Sequence, residues 1–331
     1  MKLSFQVSST RTTDEWLAFA HQADDYGFAE IHLADRLDFH FATWPTLFAM
    51  ARHTQRILLG TGVTNPYLRH PVLTAKLLSL LDEESGGRAV LGLGMGSVWH
   101  YQMLGITELH AYTTLREAVT IIRRLTSGGA ADFEGQVFSA TADFAFPWQP
   151  TREHIPVFIG TRSPGVMGIA GEVADELHLP FCITPEFVKV AQERAQAGMT
   201  SAGREGDLIP ISAGPLLCIA EDRDAALRDA RLRLPEYIAF MKYPCEVMGI
   251  SYEDALRLHQ AWRERDETYM LQHVTDQMIA GFTLTGAPAD IIKQIERLHE
   301  TGLSHLTLNE PGPDLVSAVD LLGGKVLPHF L

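Results

Sequence analysis

Only three cysteines occur in 331 residues, Cys182, Cys218 and Cys245, and no two stand in C-x-x-C spacing. An odd, scattered set argues against a disulfide framework or a zinc site, and for a reducing cytoplasm. Cations are also scarce: 27 Lys and Arg stand against 41 Asp and Glu, a formal charge of −14. Nucleic acids and anionic membranes are held by clustered Lys and Arg, so neither is an expected partner. One small anion in a local pocket remains compatible with that charge. No apolar run approaches the ~18 residues of a membrane span, and the apolar start Met1–Val7 is too short for a signal-peptide core. The histidines form neither H-E-x-x-H nor H-x-H, so no metal is expected, and the absence of G-x-S-x-G removes the hydrolase elbow.

What is present is the pattern of a globular α/β chain, 46% hydrophobic and 21% charged. Leu3–Val7, Glu30–Ala34, Ile57–Val63, Ala89–Leu93, Pro156–Ile159, Asp175–Leu179, Ile209–Ile219 and His305–Leu308 read as eight strands. Between them, Thr13–Tyr26, Pro45–His53, Pro71–Glu84, Thr113–Thr126, Pro164–Gly171 and Pro185–Ala197 read as helices. The first three strands start 27 residues apart, the repeat of a βα unit. Such repeats build a parallel sheet with right-handed crossovers. The expected fold is a (β/α)8 TIM barrel, one domain over residues 1–331, with inserts after strands four and seven. The first insert is Asp132–Pro150, with two short β-like pieces. The second is the helix-rich stretch Asp222–Thr301.

In such a barrel, ligand-binding groups come from the C-terminal ends of strands. Those ends hold Gln6, Ser8 and Ser9; Asp35, Arg36, Asp38 and His40; Gly60–Tyr67; Gly92–Ser97; and Gly160–Gly165. At Gly160-Thr161-Arg162-Ser163-Pro164, Ser163 suits an N-cap and Pro164 the first helical position. That turn is either an ordinary capped one or a phosphate site, with free amides and Arg162 facing the anion. Gly92-Leu93-Gly94-Met95-Gly96 fails as a dinucleotide fingerprint, because Gly96 comes one place early. It is either a tight turn or a loop that lets a planar ligand approach the backbone. The glycines of Gly60-Thr61-Gly62-Val63-Thr64-Asn65 mark a bulge in the wall or a platform for a flat ring. Asp35 and Arg36 form a surface ion pair, or orient a ligand and move a proton. His32 reads as a hydrogen-bonded core residue, and His100, between Trp99 and Tyr101, either lines the mouth or, as the preferred reading, belongs to a surface loop. The helices Pro45–His53 and Pro71–Leu81 are apolar over more of their surface than one core face needs, so a homodimer or higher homo-oligomer is expected.

Four segments carry a resemblance: Gly60–Pro71 (GTGVTNPYLRHP), Ser85–Gly96 (SGGRAVLGLGMG), Ala170–Asp175 (AGEVAD) and Val274–Ile279 (VTDQMI). With them the chain resembles, over essentially its whole length, the luciferase-like flavin and deazaflavin oxidoreductases. Within these it is most similar to the coenzyme F420-dependent methylenetetrahydromethanopterin reductases. The resemblance implies a deazaflavin across the barrel mouth and hydride transfer at its C5. It implies a non-prolyl cis bulge at Gly62–Val63 behind the ring, with Thr64, Asn65, Gly94, Met95 and Gly96 as further cofactor contacts. Gly160, Thr161, Arg162 and Ser163 would hold the phosphate, and Asp35 would lie on the pyrimidine or substrate side. Asp35, Arg36 and Gln6 are the candidate catalytic residues. The reductases carry Thr-Asp-His where this chain has Ala34-Asp35-Arg36, and a glutamate where it has Gln6. Their phosphate turn is Gly-Ala-Gln-Gly-Pro. The platform is kept and the proton-handling residues differ, which points away from methylenetetrahydromethanopterin as the substrate.

Three functions are thereby set against one another. The first is an F420-dependent oxidoreductase acting on a small organic substrate. The second is an FMN-dependent monooxygenase using O2 and supplied by a flavin reductase. The third is a barrel that binds flavin without catalysis.

Overall fold

The computed structural model describes residues 1–8, 11–37, 42–96, 98–107, 109–204, 206, 208–312 and 314–331. Ser9, Asp38, His40 and Ser97 lie outside the described residues. The strands are β1 (Lys2–Val7), β2 (Glu30–Leu33), β3 (Leu58–Thr64), β4 (Ala89–Leu93), β5 (Phe133–Glu134), β6 (Ser139–Ala140), β7 (Val157–Gly160), β8 (Glu176–Pro180), β9 (Ile211–Gly214), β10 (Leu216–Ile219), β11 (Thr283–Gly286) and β12 (His305–Asn309). The large sheet runs β1-β2-β3-β4-β7-β8-β9-β12-β10-β11, and β1 also pairs with β12. This is the closed parallel barrel that the eight-strand reading expects, with β10 and β11 added to it.

The contacts of the chain group into two compact units. One comprises Gln6–Leu177 and Arg194–Ile209, the other Met1–Phe5, His178–Glu193 and Pro210–Leu331.

In the first unit, βα repeats are fixed by local signals that the sequence carries. Thr12 caps the helix Thr13–Tyr26 in a reciprocal box: Glu15 N donates to Thr12 Oγ1 (3.3 Å), and Thr12 N donates to Glu15 Oε2 (2.7 Å). Gly27 ends that helix at φ +89°, a conformation only glycine adopts without strain. Asp24 then accepts the amides of Gln55, Arg56 and Ile57 at 2.7–2.9 Å, tying this helix to the entry of β3. Burial alone would raise its pKa, but these amides and the Arg56 charge outweigh it and hold the carboxyl below its ordinary range. Arg88, in the S-G-G-R turn, donates to the carbonyls of Ala51, Thr54 and Ile57 and so closes the end of the helix Thr43–His53. Gly168 and Gly198 meet backbone to backbone, and a Cβ on Gly198 would lie 1.9 Å from the Gly168 carbonyl oxygen.

The hairpin β5–β6 lies in the first insert. Its turn is pinned to the helix Ala111–Thr126, because the Glu117 carboxylate accepts the amides of Gln136, Val137 and Phe138 at 2.7–3.0 Å.

In the second unit, the seventh predicted strand is split into β9 and β10 at Pro215, which has no amide to donate to a ladder. β11 lies inside the stretch read as helical. It runs parallel to β10 from Leu216↔Thr283 to Ile219↔Gly286. Two buried polar pairs lie inside this unit: Ser4 Oγ meets His305 Nε2 at 2.7 Å, and His178 Nδ1 meets Ser212 Oγ at 2.9 Å. Among the described residues, no helix is long and apolar enough to cross a membrane.

Candidate functional site

The sequence-predicted site residues Gln6, Asp35, Arg36, Gly62–Asn65, Gly94–Gly96 and Gly160–Ser163 all fall in the first unit. β3 pairs with β2 from Leu58↔Glu30 to Thr61↔Leu33, and its register with β4 shifts between Thr61 and Thr64. Gly62 and Val63 are therefore the bulge, and the Gly62–Val63 peptide is cis. From Leu59 to Asn65 every residue is buried except Val63, which is half-exposed. The bulge thus turns one small apolar side chain out of an otherwise closed strand end.

The neighbouring strands leave room for that ledge. A Cβ on Gly94 would stand 2.9 Å from Val63 Cγ2 and 2.8 Å from the Gly160 carbonyl oxygen. These three residues are thus adjacent at one end of β3, β4 and β7, as the barrel reading requires. Gly96 has φ +64°, and a Cβ there would reach Asn65 Nδ2 at 3.4 Å. Asn65 itself is a turn organiser: its Oδ1 accepts the amides of Tyr67 and Leu68, both at 3.0 Å. The Met95 carbonyl accepts from the Tyr101 hydroxyl, whose pKa burial pushes up.

Asp35 follows β2 and is locked from the β3 side. Thr64 Oγ1 and Arg69 Nη1 both donate to its Oδ2, each at 2.7 Å. The Asp35 side chain is 11% exposed and that of Arg69 24%. Both donors fall on one oxygen, so among the described residues Oδ1 is the carboxylate's uncommitted acceptor. Arg69 is thus a cation that Asp35 meets directly. Arg36 itself is exposed. Arg69 Cζ lies 5.9 Å from the Trp44 ring centroid. Trp44 is buried, and its Nε1 has no hydrogen-bond partner among the described residues. Thr43 Oγ1 donates to the Ala34 carbonyl (2.9 Å), which docks this helix start beside Asp35.

At the β7 turn, Ser163 occupies the N-cap position of Pro164–Val173 but makes no side-chain cap bond. Its amide donates instead to Thr161 Oγ1 (3.0 Å). The Ser163 hydroxyl is therefore not spent on the helix, whose first-turn amides lack the usual N-cap side-chain acceptor. A Cβ on Gly165 would lie 2.4 Å from the Tyr112 hydroxyl oxygen, which places that phenol at the same helix start. This donor set suits a phosphate.

Sequence reasoning missed Arg69, Trp44 and Tyr112. Arg69 lies within the quoted segment Gly60–Pro71, four residues past the Asn65 turn. Trp44 and Tyr112 each begin a helix and reach the site only through tertiary packing. His32 is a buried, bonded core residue as read, with its Nε2 2.8 Å from Glu30 Oε2. His100 is corrected: it lies in the helix Val98–Met103 and is buried, not on a surface loop. Among the described residues, no group of three His, Cys, Asp or Glu is placed to hold a metal ion.

The arrangement defines a parallel barrel whose strand ends form a glycine-lined ledge beside an open helix start. The model of the luciferase-like monooxygenase family matches residues 2–305, and the chain belongs to that family. The 5,10-methylenetetrahydromethanopterin reductase of Archaeoglobus fulgidus is 34% identical over 318 residues, covering 93% of each chain. An F420-dependent glucose-6-phosphate dehydrogenase of Nakamurella multipartita is 26% identical, covering 100% of this chain and 96% of the relative. Among solved structures, the coenzyme F420-dependent tetrahydromethanopterin reductase of Methanopyrus kandleri superposes with a TM-score of 0.88 at 27% identity, with both chains covered in full.

Proposed function

We propose that the chain is an F420-dependent oxidoreductase that exchanges a hydride with a small organic substrate. The observation that carries this reading is the half-exposed Val63 on its bulge, flanked by Gly94 and Gly160, in a chain whose relatives are F420-dependent enzymes. Val63, Gly94, Met95 and Gly96 would support the ring, and Gly160–Ser163 with Tyr112 would hold the phosphate. The uncapped helix start and the unspent Ser163 hydroxyl fit that group. When bound, coenzyme F420 supplies a carbon-centred hydride donor or acceptor that does not activate oxygen usefully. Asp35 Oδ1 is the proton acceptor or donor on the substrate side, held in place by Thr64 and Arg69. Arg36 and Gln6 are the further candidate catalytic residues of this reading.

The test is anaerobic mixing of protein and F420 with secondary alcohols, sugar phosphates and methylene pterins, following the deazaflavin absorbance. Reduction or oxidation by any of these classes supports the reading. A static cofactor with all of them, together with oxygen uptake when reduced FMN is supplied, sinks it.

The reading extends to a cytoplasmic homodimer of single-domain subunits. The helices Thr43–His53 and Pro71–Ser85 leave Pro45, Leu73, Phe48, Leu77 and Leu80 exposed or half-exposed, an apolar face that a second copy would bury. Light scattering at micromolar concentration should give twice the 36.7 kDa chain mass, and the monomer mass would reject the dimer.

A further inference from the structure

Asn65 is only 2% exposed, yet one end of its side-chain amide is idle. Oδ1 accepts the amides of Tyr67 and Leu68, both at 3.0 Å. Two backbone donors on one atom identify it as the oxygen, because an amide NH2 group only donates. The amide is planar, so Nδ2 is turned away from Tyr67 and Leu68. Among the described residues Nδ2 meets no acceptor, and it is not closed off as a buried atom. A side chain this buried with an unused donor calls for an acceptor.

Gly96 stands beside that donor. A Cβ on Gly96 would lie 3.4 Å from Asn65 Nδ2 and 4.0 Å from Asn65 Cβ. Gly96 is exposed. Its own amide is oriented by the peptide it belongs to. The Met95 carbonyl accepts from the Tyr101 hydroxyl, and Tyr101 is 1% exposed, so this carbonyl points into the protein. In a trans peptide the C=O and N–H point in opposite directions, which turns the Gly96 N–H away from Tyr101. Among the described residues it has no backbone acceptor. The ends of β3 and β4 therefore bring two unused donors next to each other, one from a side chain and one from the backbone.

We propose that Asn65 Nδ2–H2 and Gly96 N–H form a notch for one acceptor oxygen of a bound molecule, of the carbonyl or carboxylate kind. Donors fixed on such an oxygen favour the state in which it carries more negative charge. The oxygen comes from the deazaflavin ring or from the substrate. The inference rests on the proposed function, in which this end of β3 and β4 faces the ligand, and its test does not depend on turnover.

The chain has two asparagines, Asn65 and Asn309, so protein labelled with nitrogen-15 in the asparagine side chains gives two NH2 signals. Asn65 is identified by the signal lost in Asn65→Asp, or by the one kept in Asn309→Asp should the first not fold. Asn65→Asp keeps an acceptor for Tyr67 and Leu68 and removes the donor. If the ring supplies the oxygen, oxidised F420 should move the Asn65 hydrogens downfield and leave Asn309 in place. Asn65→Asp should then weaken F420 binding by roughly tenfold, the equivalent of one hydrogen bond. If the substrate supplies it, the shift should appear only when acetate, the carboxylate probe, is added to the F420 complex. An Asn65 signal indifferent to bound F420 and to acetate, or one that moves only together with Asn309, overturns the proposal. F420 that fails to bind, read from its own absorbance, would remove the functional reading, and acetate added to the protein alone would then decide the notch.

Discussion

Arg69→Met is expected to lower the free energy of unfolding by roughly 2 kcal/mol, between the scale of an exposed ion pair and that of removing one partner of a buried one. Asp35 is 11% exposed, and Arg69 supplies its cation at 2.7 Å. Without Arg69, the carboxylate keeps a single charge-stabilising donor, the Thr64 hydroxyl. Asp35→Asn should cost less, because the Arg69 side chain is 24% exposed and can turn toward water. The double variant Asp35→Asn/Arg69→Met should recover part of the loss, the coupling expected of residues in contact. Urea unfolding of the four proteins reads this directly. Additive losses, each under about 1 kcal/mol, would make the pair an ordinary surface salt bridge and Asp35 a poorly held proton carrier.

The second large effect falls on the phosphate turn. Arg162→Ala is expected to weaken coenzyme F420 binding by roughly ten- to hundredfold, the equivalent of one charge-assisted hydrogen bond, ~1.5–3 kcal/mol. The helix start and the Ser163 hydroxyl remain in that variant, so binding is weakened and not abolished. A phosphate-free deazaflavin should bind wild-type protein and variant nearly equally. Equal weakening of both compounds would show that Arg162 shapes the ledge and does not meet the phosphate.

Much of the barrel was legible because its signals are local. Thr12 with Glu15, Gly27, and the prolines at 71 and 164 mark helix ends through contacts a few residues apart. β4 runs over Ala89–Leu93, as its apolar run between turns predicts. β11 was not legible: it has four residues, and the helix Asp276–Phe282 runs into it without a turn residue. Its strand character comes from pairing with β10, which periodicity over so short a span cannot show. The same division holds in the candidate site. The glycines at 62, 94, 96 and 160 announce close backbone approach in the sequence itself. The partner of Asp35 does not, because Arg69 comes from another βα unit and competes with the adjacent Arg36 on paper. Tyr112 reaches Gly165 from a helix 53 positions away in sequence, beyond any local pattern.

The most direct measurement of the central claim is a binding titration of the purified protein with coenzyme F420 and, separately, with FMN. Both carry a phosphate for the turn at Gly160–Ser163, so the preference between them must come from the ledge around Val63 and from the surface that meets the tail. The account predicts that F420 binds more tightly. FMN binding at least tenfold more tightly than F420, a difference of about 1.4 kcal/mol, would contradict it and put the monooxygenase reading in its place.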